Sequence, residues 1–150
     1  MYLVNYFDPV KTTVAILRDW KERLWKLEHG PRMLEAIDTQ LTNTTSHMDS
    51  TPVSGGGGNH TEDALVNGIS RKEIAMHGLQ QAQGAEREFA IAWESLSDDE
   101  KFLLWNRFVD NEDRQGIVRI MSRMRVEKSQ AYQLCDEALH KLSARLFWRT

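Results

Sequence analysis

The residues able to do chemistry are few and scattered. The chain of 150 residues carries five histidines (His29, His47, His60, His77 and His140) and one cysteine, Cys135. No histidine stands at a motif spacing from Cys135 or from a carboxylate, so no nucleophile with its base can be read and no catalytic residue is expected. A single cysteine can neither close an internal disulfide nor build a thiolate zinc site. It falls on an apolar stripe, where a core thiol is the plainer reading. His47, Asp49 and His60 are metal-ligand types, but they lie in a polar, Gly-rich stretch that pre-orients nothing; no metal and no cofactor is expected. The run Gly55–Gly58 is followed by Asn59-His60 rather than the Gly-Lys-Ser/Thr ending of a phosphate loop, so it reads as linker.

What remains is recognition chemistry, and it lies near the C-terminus. Lys128, Ser129, Gln130, Tyr132 and Gln133 are side chains that read base edges or hold phosphates. Arg114, Arg119, Arg123 and Arg125 are candidate phosphate clamps. From Arg114 to Thr150 there are eight basic and three acidic residues, a balance of +5, which leaves −8 for the first 113 residues of a chain whose net charge is −3. A near-neutral total therefore conceals a cationic segment, and it is the local field that nucleic acid feels.

The elements that must position these residues are helical throughout; the expected fold class is all-α. Asp8-Pro9 opens a first helix with a cap and a proline at its first position. Val10, Val14, Leu17, Trp20, Leu24 and Leu27 follow at helical steps. Gly30-Pro31 is expected to stop or kink this helix, with Leu34, Ile37 and Leu41 continuing the face beyond. Residues 42–60, rich in Ser, Thr and Gly, read as a flexible loop. Thr61-Glu62-Asp63 opens a second helix with Leu65, Ile69, Met76 and Leu79 on its apolar side, weakened by Gly68, Gly78 and Gly84. Residues 8–94 are thus expected to form an antiparallel, coiled-coil-like helical hairpin, with Trp20, Trp25 and Trp93 packing in it.

Residues 95–148 read as a second domain. Ser97-x-x-Glu100 is a capping box before Phe102, Leu103, Trp105, Phe108 and Val109. Asp110–Asp113 is a polar break. Ile117, Ile120, Met121 and Met124 mark a short helix, and Ala131, Leu134, Cys135, Ala138, Leu139, Leu142 and Leu146 mark a long one of about 20 residues. Short helix, the turn Met124-Arg125-Val126, then a longer helix is the outline of a helix-turn-helix, with the polar readers on the first turns of its second helix.

The stretch Val118–Leu142 resembles the DNA-reading fourth region of bacterial sigma factors: Ile120 in the first helix, Val126 after the turn, polar residues 128–133, then Ala138-Leu139-His140-Lys141-Leu142. Leu96–Phe108 looks like the helix that leads into it. The whole chain resembles phage late-gene transcription regulators of the ArpU-like and RinA-like kind, through Thr12–Leu41, Pro52-Val53-Ser54-Gly55-Gly56-Gly57, Glu62-Asp63-Ala64-Leu65 and Leu96–Leu142. That resemblance implies a sequence-specific activator of phage late or packaging genes in a bacterial cytoplasm. Double-stranded DNA and host RNA polymerase would be its partners. A homodimer fits the apolar stripes. The alternative is a helical adaptor that contacts polymerase or a phage protein without DNA. One departure stands out: the turn position often held by Gly is Arg125. Either the turn takes another geometry, or Arg125 is placed to reach phosphate. Asp110–Asp113 is more acidic than a DNA-facing loop should be and is expected away from the duplex or toward a protein. No run of eighteen apolar residues exists, so no membrane span is expected.

Overall fold

The structure, a computed structural model, describes residues 7–48 and 59–148. Every regular element in them is helical: α1 (Pro9–Met48), α2 (Asn59–Glu94), α3 (Asp98–Leu104), a π-helical turn (Trp105–Val109), α4 (Gly116–Met124) and α5 (Lys128–Phe147). The chain divides into two compact units. One joins the N-terminal residues up to Arg23 with Glu86 onward; the other is Leu24–Ala85. The boundary expected at residue 94 therefore falls elsewhere: the first turns of α1 and the last turns of α2 belong with the C-terminal helices.

In the larger unit, α1 starts as expected, with Asp8 Oδ1 accepting from the Val10 and Lys11 N–H groups at 3.0 and 3.2 Å. Leu17 and Trp20 of α1, Phe89 and Trp93 of α2, and Leu103, Leu104, Ile120, Cys135 and Leu142 of the later helices share one buried cluster. Trp20 is its aromatic centre, with ring centroids at 4.5 Å from Phe89, 4.7 Å from Trp93 and 5.4 Å from Trp105. Its indole N–H is not stranded: it donates to the Glu86 carboxylate at 3.1 Å, which Arg23 Nε also binds at 2.8 Å. Trp20 and Trp93 are packing residues as expected, and Trp20 packs against Trp105 as well.

The Leu24–Ala85 unit is an antiparallel helix pair. Asp38 pairs with Lys72 at 2.6 Å, and Gly30 and Gly68 lie so close to Leu79 and Leu41 that a Cβ would meet those side chains at 2.8 and 2.6 Å. Three expectations are corrected here. First, α1 runs unbroken through Pro31. An interior proline costs a helix about 3 kcal/mol; on either side of it Gly30 lies against Leu79 of α2 and Ile37 is buried. Second, residues 42–48 and 59–60 of the expected loop are helical, and 49–58 lie outside the described residues. Third, the inner row of α2 is Leu65, Gly68, Ala75, Leu79 and Ala82, whereas Ile69 and Met76 are 44% and 40% exposed. Small residues let the helices approach closely and turn the large ones outward. Trp25 is likewise outside this pair's interior, 47% exposed and stacked on His29.

Candidate nucleic-acid interface

The platform is built from α3 upward. Ser97 caps α3 reciprocally with Glu100: the Glu100 N–H donates to Ser97 Oγ at 3.2 Å and the Ser97 N–H donates to Glu100 Oε1 at 3.0 Å. Burial pushes the Glu100 carboxyl up. The Ser97 N–H, the Lys141 ammonium at 2.9 Å and the Ser97 hydroxyl outweigh it and hold the carboxyl below its ordinary value. This ties α3 to α5.

The α3–α4 connection is fixed by its polar groups. Asn106 is buried in the π-helical turn; its Nδ2 donates to the Phe102 carbonyl at 2.9 Å and its Oδ1 accepts from Arg119 Nε at 2.7 Å. Gly116 opens α4 directly against the Asn106 carbonyl, in space that any Cβ would occupy, and its N–H donates to Asn111 Oδ1 at 2.8 Å. Arg119 also donates to Asp113 at 2.8 Å and to the Asp110 carbonyl at 2.6 Å. The Gln115 N–H and Arg119 hold the Asp113 carboxyl below its ordinary value. Arg119 is therefore engaged in the loop, unlike the other three phosphate candidates. Asp110, for its part, accepts from Lys21 of α1 at 2.7 Å, a bond that raises the lysine's pKa.

The α4–α5 turn keeps the left-handed geometry. Arg125 has φ 54° and ψ 50°; its N–H and that of Val126 both bond back to the Met121 carbonyl, the latter at 3.2 Å. This is the helix-ending bond pattern that usually employs glycine. Of the two possibilities for Arg125, the turn is retained and the arginine bears its strain, with its side chain exposed.

α5 then divides cleanly. Ala131, Cys135, Ala138, Leu139, Leu142 and Ser143 are buried, whereas Lys128, Ser129, Gln130, Tyr132 and Gln133 are exposed. Glu127 caps α5 without a side-chain bond to the first turn. Arg107, unremarked in the sequence, lies 5.1 Å from the Tyr132 ring centroid and 5.3 Å from that of Phe108. Arg123 covers the Phe102 ring at 4.1 Å, and Arg114 is exposed with φ 59°. Three of the four proposed phosphate arginines thus remain on the surface.

No family model, curated protein or solved structure matches the chain. The functional reading therefore rests on this geometry. Cys135 is buried with its Sγ 4.0 Å from the Leu103 carbonyl, and burial pushes its thiol up to about 11, the condition of an inert core residue. No group of three or more His, Cys, Asp or Glu side chains converges among the described residues, and no helix among them is long and apolar enough to cross a membrane. Of the metal-ligand types set aside above, Asp49 lies outside the described residues.

Proposed function

We propose that the chain is a sequence-specific DNA-binding regulator that reads duplex DNA through the exposed face of α5. The observation that carries this reading is the partition of that helix. Its first turns place Lys128, Ser129, Gln130, Tyr132 and Gln133 outward, while Ala131 and Cys135 anchor the same turns in the core behind a tight left-handed turn. A rigid helix with long polar side chains on its N-terminal turns is what enters a major groove. Gln pairs with adenine and Lys with guanine or phosphate. The first-turn N–H groups of α5 have no side-chain cap and suit a phosphate. Arg114, Arg123 and Arg125 flank this face in the sequence segment that carries +5.

The finer reading, an activator of phage late or packaging genes acting with RNA polymerase, rests on the sequence resemblance. The exposed Leu24, Trp25, Met33, Val66, Ile69, Ile74 and Met76 of the hairpin unit favour a protein partner for that part, with a second copy of the chain as its simplest form. A titration of the full chain on labelled duplexes at graded salt tests the proposal. Selective binding whose affinity falls steeply with salt supports it; a folded chain that binds polymerase but no duplex supports the adaptor reading instead.

A further inference from the structure

A groove of about 520 Å³ in the larger unit is lined by four cations from distant parts of the sequence: Arg18 and Lys21 of α1, and Arg107 and Arg114 around the α3–α4 connection. Glu22 and Glu112 are the carboxylates in its lining. The cations differ in how far they are already satisfied. Lys21 is spoken for by Asp110 at 2.7 Å and Glu112 at 3.8 Å. Arg18 and Arg114 are exposed and make no ion pair or side-chain hydrogen bond among the described residues. Among the described residues the Arg107 guanidinium lies against the Phe108 and Tyr132 rings and makes no ion pair. Arg114 also sits at φ 59°, a conformation that costs a non-glycine residue some strain and that fixes where its side chain leaves the loop.

We infer that this groove is a phosphate-binding track in which Arg18, Arg107 and Arg114 hold the backbone of the same duplex that α5 reads. The inference rests on the DNA-reading proposal and extends it to α1, a helix to which the sequence assigns only packing. Arg107 makes the connection. Its guanidinium lies 5.1 Å from the Tyr132 ring centroid on the exposed face of α5, and the same residue lines the groove, which places one arginine at both surfaces. Guanidinium groups left without carboxylate partners suit phosphate oxygens, which they bind through paired N–H donors. An open groove admits a polymer backbone passing through it, where an enclosed pocket would select a small phosphate. This sets the duplex beside the loop 110–113, which the sequence expects away from it; Lys21 and Arg119 pair with Asp110 and Asp113, and Glu22 and Glu112 remain as carboxylates of the groove.

The test uses the full chain on a labelled duplex that it binds, at graded KCl, with Arg18→Ala, Arg114→Gly and the double variant. Glycine at 114 keeps the left-handed backbone while removing the guanidinium; thermal melts confirm that both variants fold. The expected result is that each substitution weakens specific and unrelated duplexes alike and lowers the salt slope by about 1, and that Arg18→Lys restores it. An unchanged affinity and slope in the double variant, on a duplex the parent chain binds, overturns the groove assignment and leaves the α5 reading standing. Saturable submillimolar binding of inorganic phosphate alone, lost in the double variant, assigns the groove to a small phosphate and overturns the duplex assignment. A parent chain that binds no duplex at all overturns both.

Discussion

Among the described residues, fifteen apolar side chains are buried together in the unit that holds the C-terminal helices, and two, Ile37 and Ala82, in the Leu24–Ala85 hairpin. Among the described residues the hairpin exposes seven large apolar side chains, with Ile74 at 74%, and the larger unit five. Two helices alone have no third surface against which to hide a wide apolar stripe, and helices draw most of their stability from such packing. The larger unit has that third surface, since α3, α4 and α5 close over Trp20 and Trp93. The difference teaches where a rigid functional face can stand. α5 is fixed by a core on one side and is free to carry Lys128 to Gln133 on the other. The hairpin carries Leu24, Trp25, Ile69 and Ile74 exposed.

The largest test of this contrast is a pair of tryptophans. Trp20→Ala should cost about 3–5 kcal/mol in urea denaturation, as for a buried aromatic at the centre of a cluster, while Trp25→Ala should change stability by about 0.5 kcal/mol or less. Equal effects would erase the distinction between the units. Next comes Gly116→Ala, whose new methyl group falls on the Asn106 carbonyl; a loss of about 1–3 kcal/mol is expected. A neutral outcome would mean that the α3–α4 connection is not the fixed support described. Arg125→Gly should sharpen the picture in two directions at once. It relieves left-handed strain and stabilises the fold by about 1 kcal/mol, yet it weakens binding to every duplex and lowers the salt slope by about 1. The smallest effect concerns Cys135. Its thiol should resist alkylation at pH 8 in the native chain and react once unfolded. Because its folded pKa of about 11 is above the ordinary 9.0, its contribution to stability is complete below pH 9 and is lost as pH rises toward 11. Rapid native labelling at pH 8 would show that the α5 face taken as core is open.

The all-helical class, the Asp8 and Ser97 caps and the length of α5 were legible because each depends on local sequence: a cap residue, an acid three positions on, an apolar step of three or four. What was not legible depends on partners distant in sequence. Pro31 reads locally as a stop or a kink, yet the helix continues past it, beside the close approach of Leu79 to Gly30. Gly68 reads as a weak point, yet it is where Leu41 approaches most closely. Arg119 and Arg125 look alike in sequence; one is bound up by Asn106, Asp110 and Asp113, and the other is left free by a turn. Arg107 carried no motif at all. Its place beside Tyr132 follows from how the π-helical turn packs, which no periodicity announces.

Sequence reading by α5 is the proposal on which the others depend. Selection of the full chain against a random duplex pool at moderate salt, repeated with Gln130→Ala and Gln133→Ala, tests it most directly. The expected result is enrichment of one shared motif by the parent chain, and relaxed preference at single positions of that motif in each variant, with discrimination falling by about 1–3 kcal/mol. A folded parent chain that enriches no sequence, or variants that enrich the identical motif with undiminished preference, would contradict it.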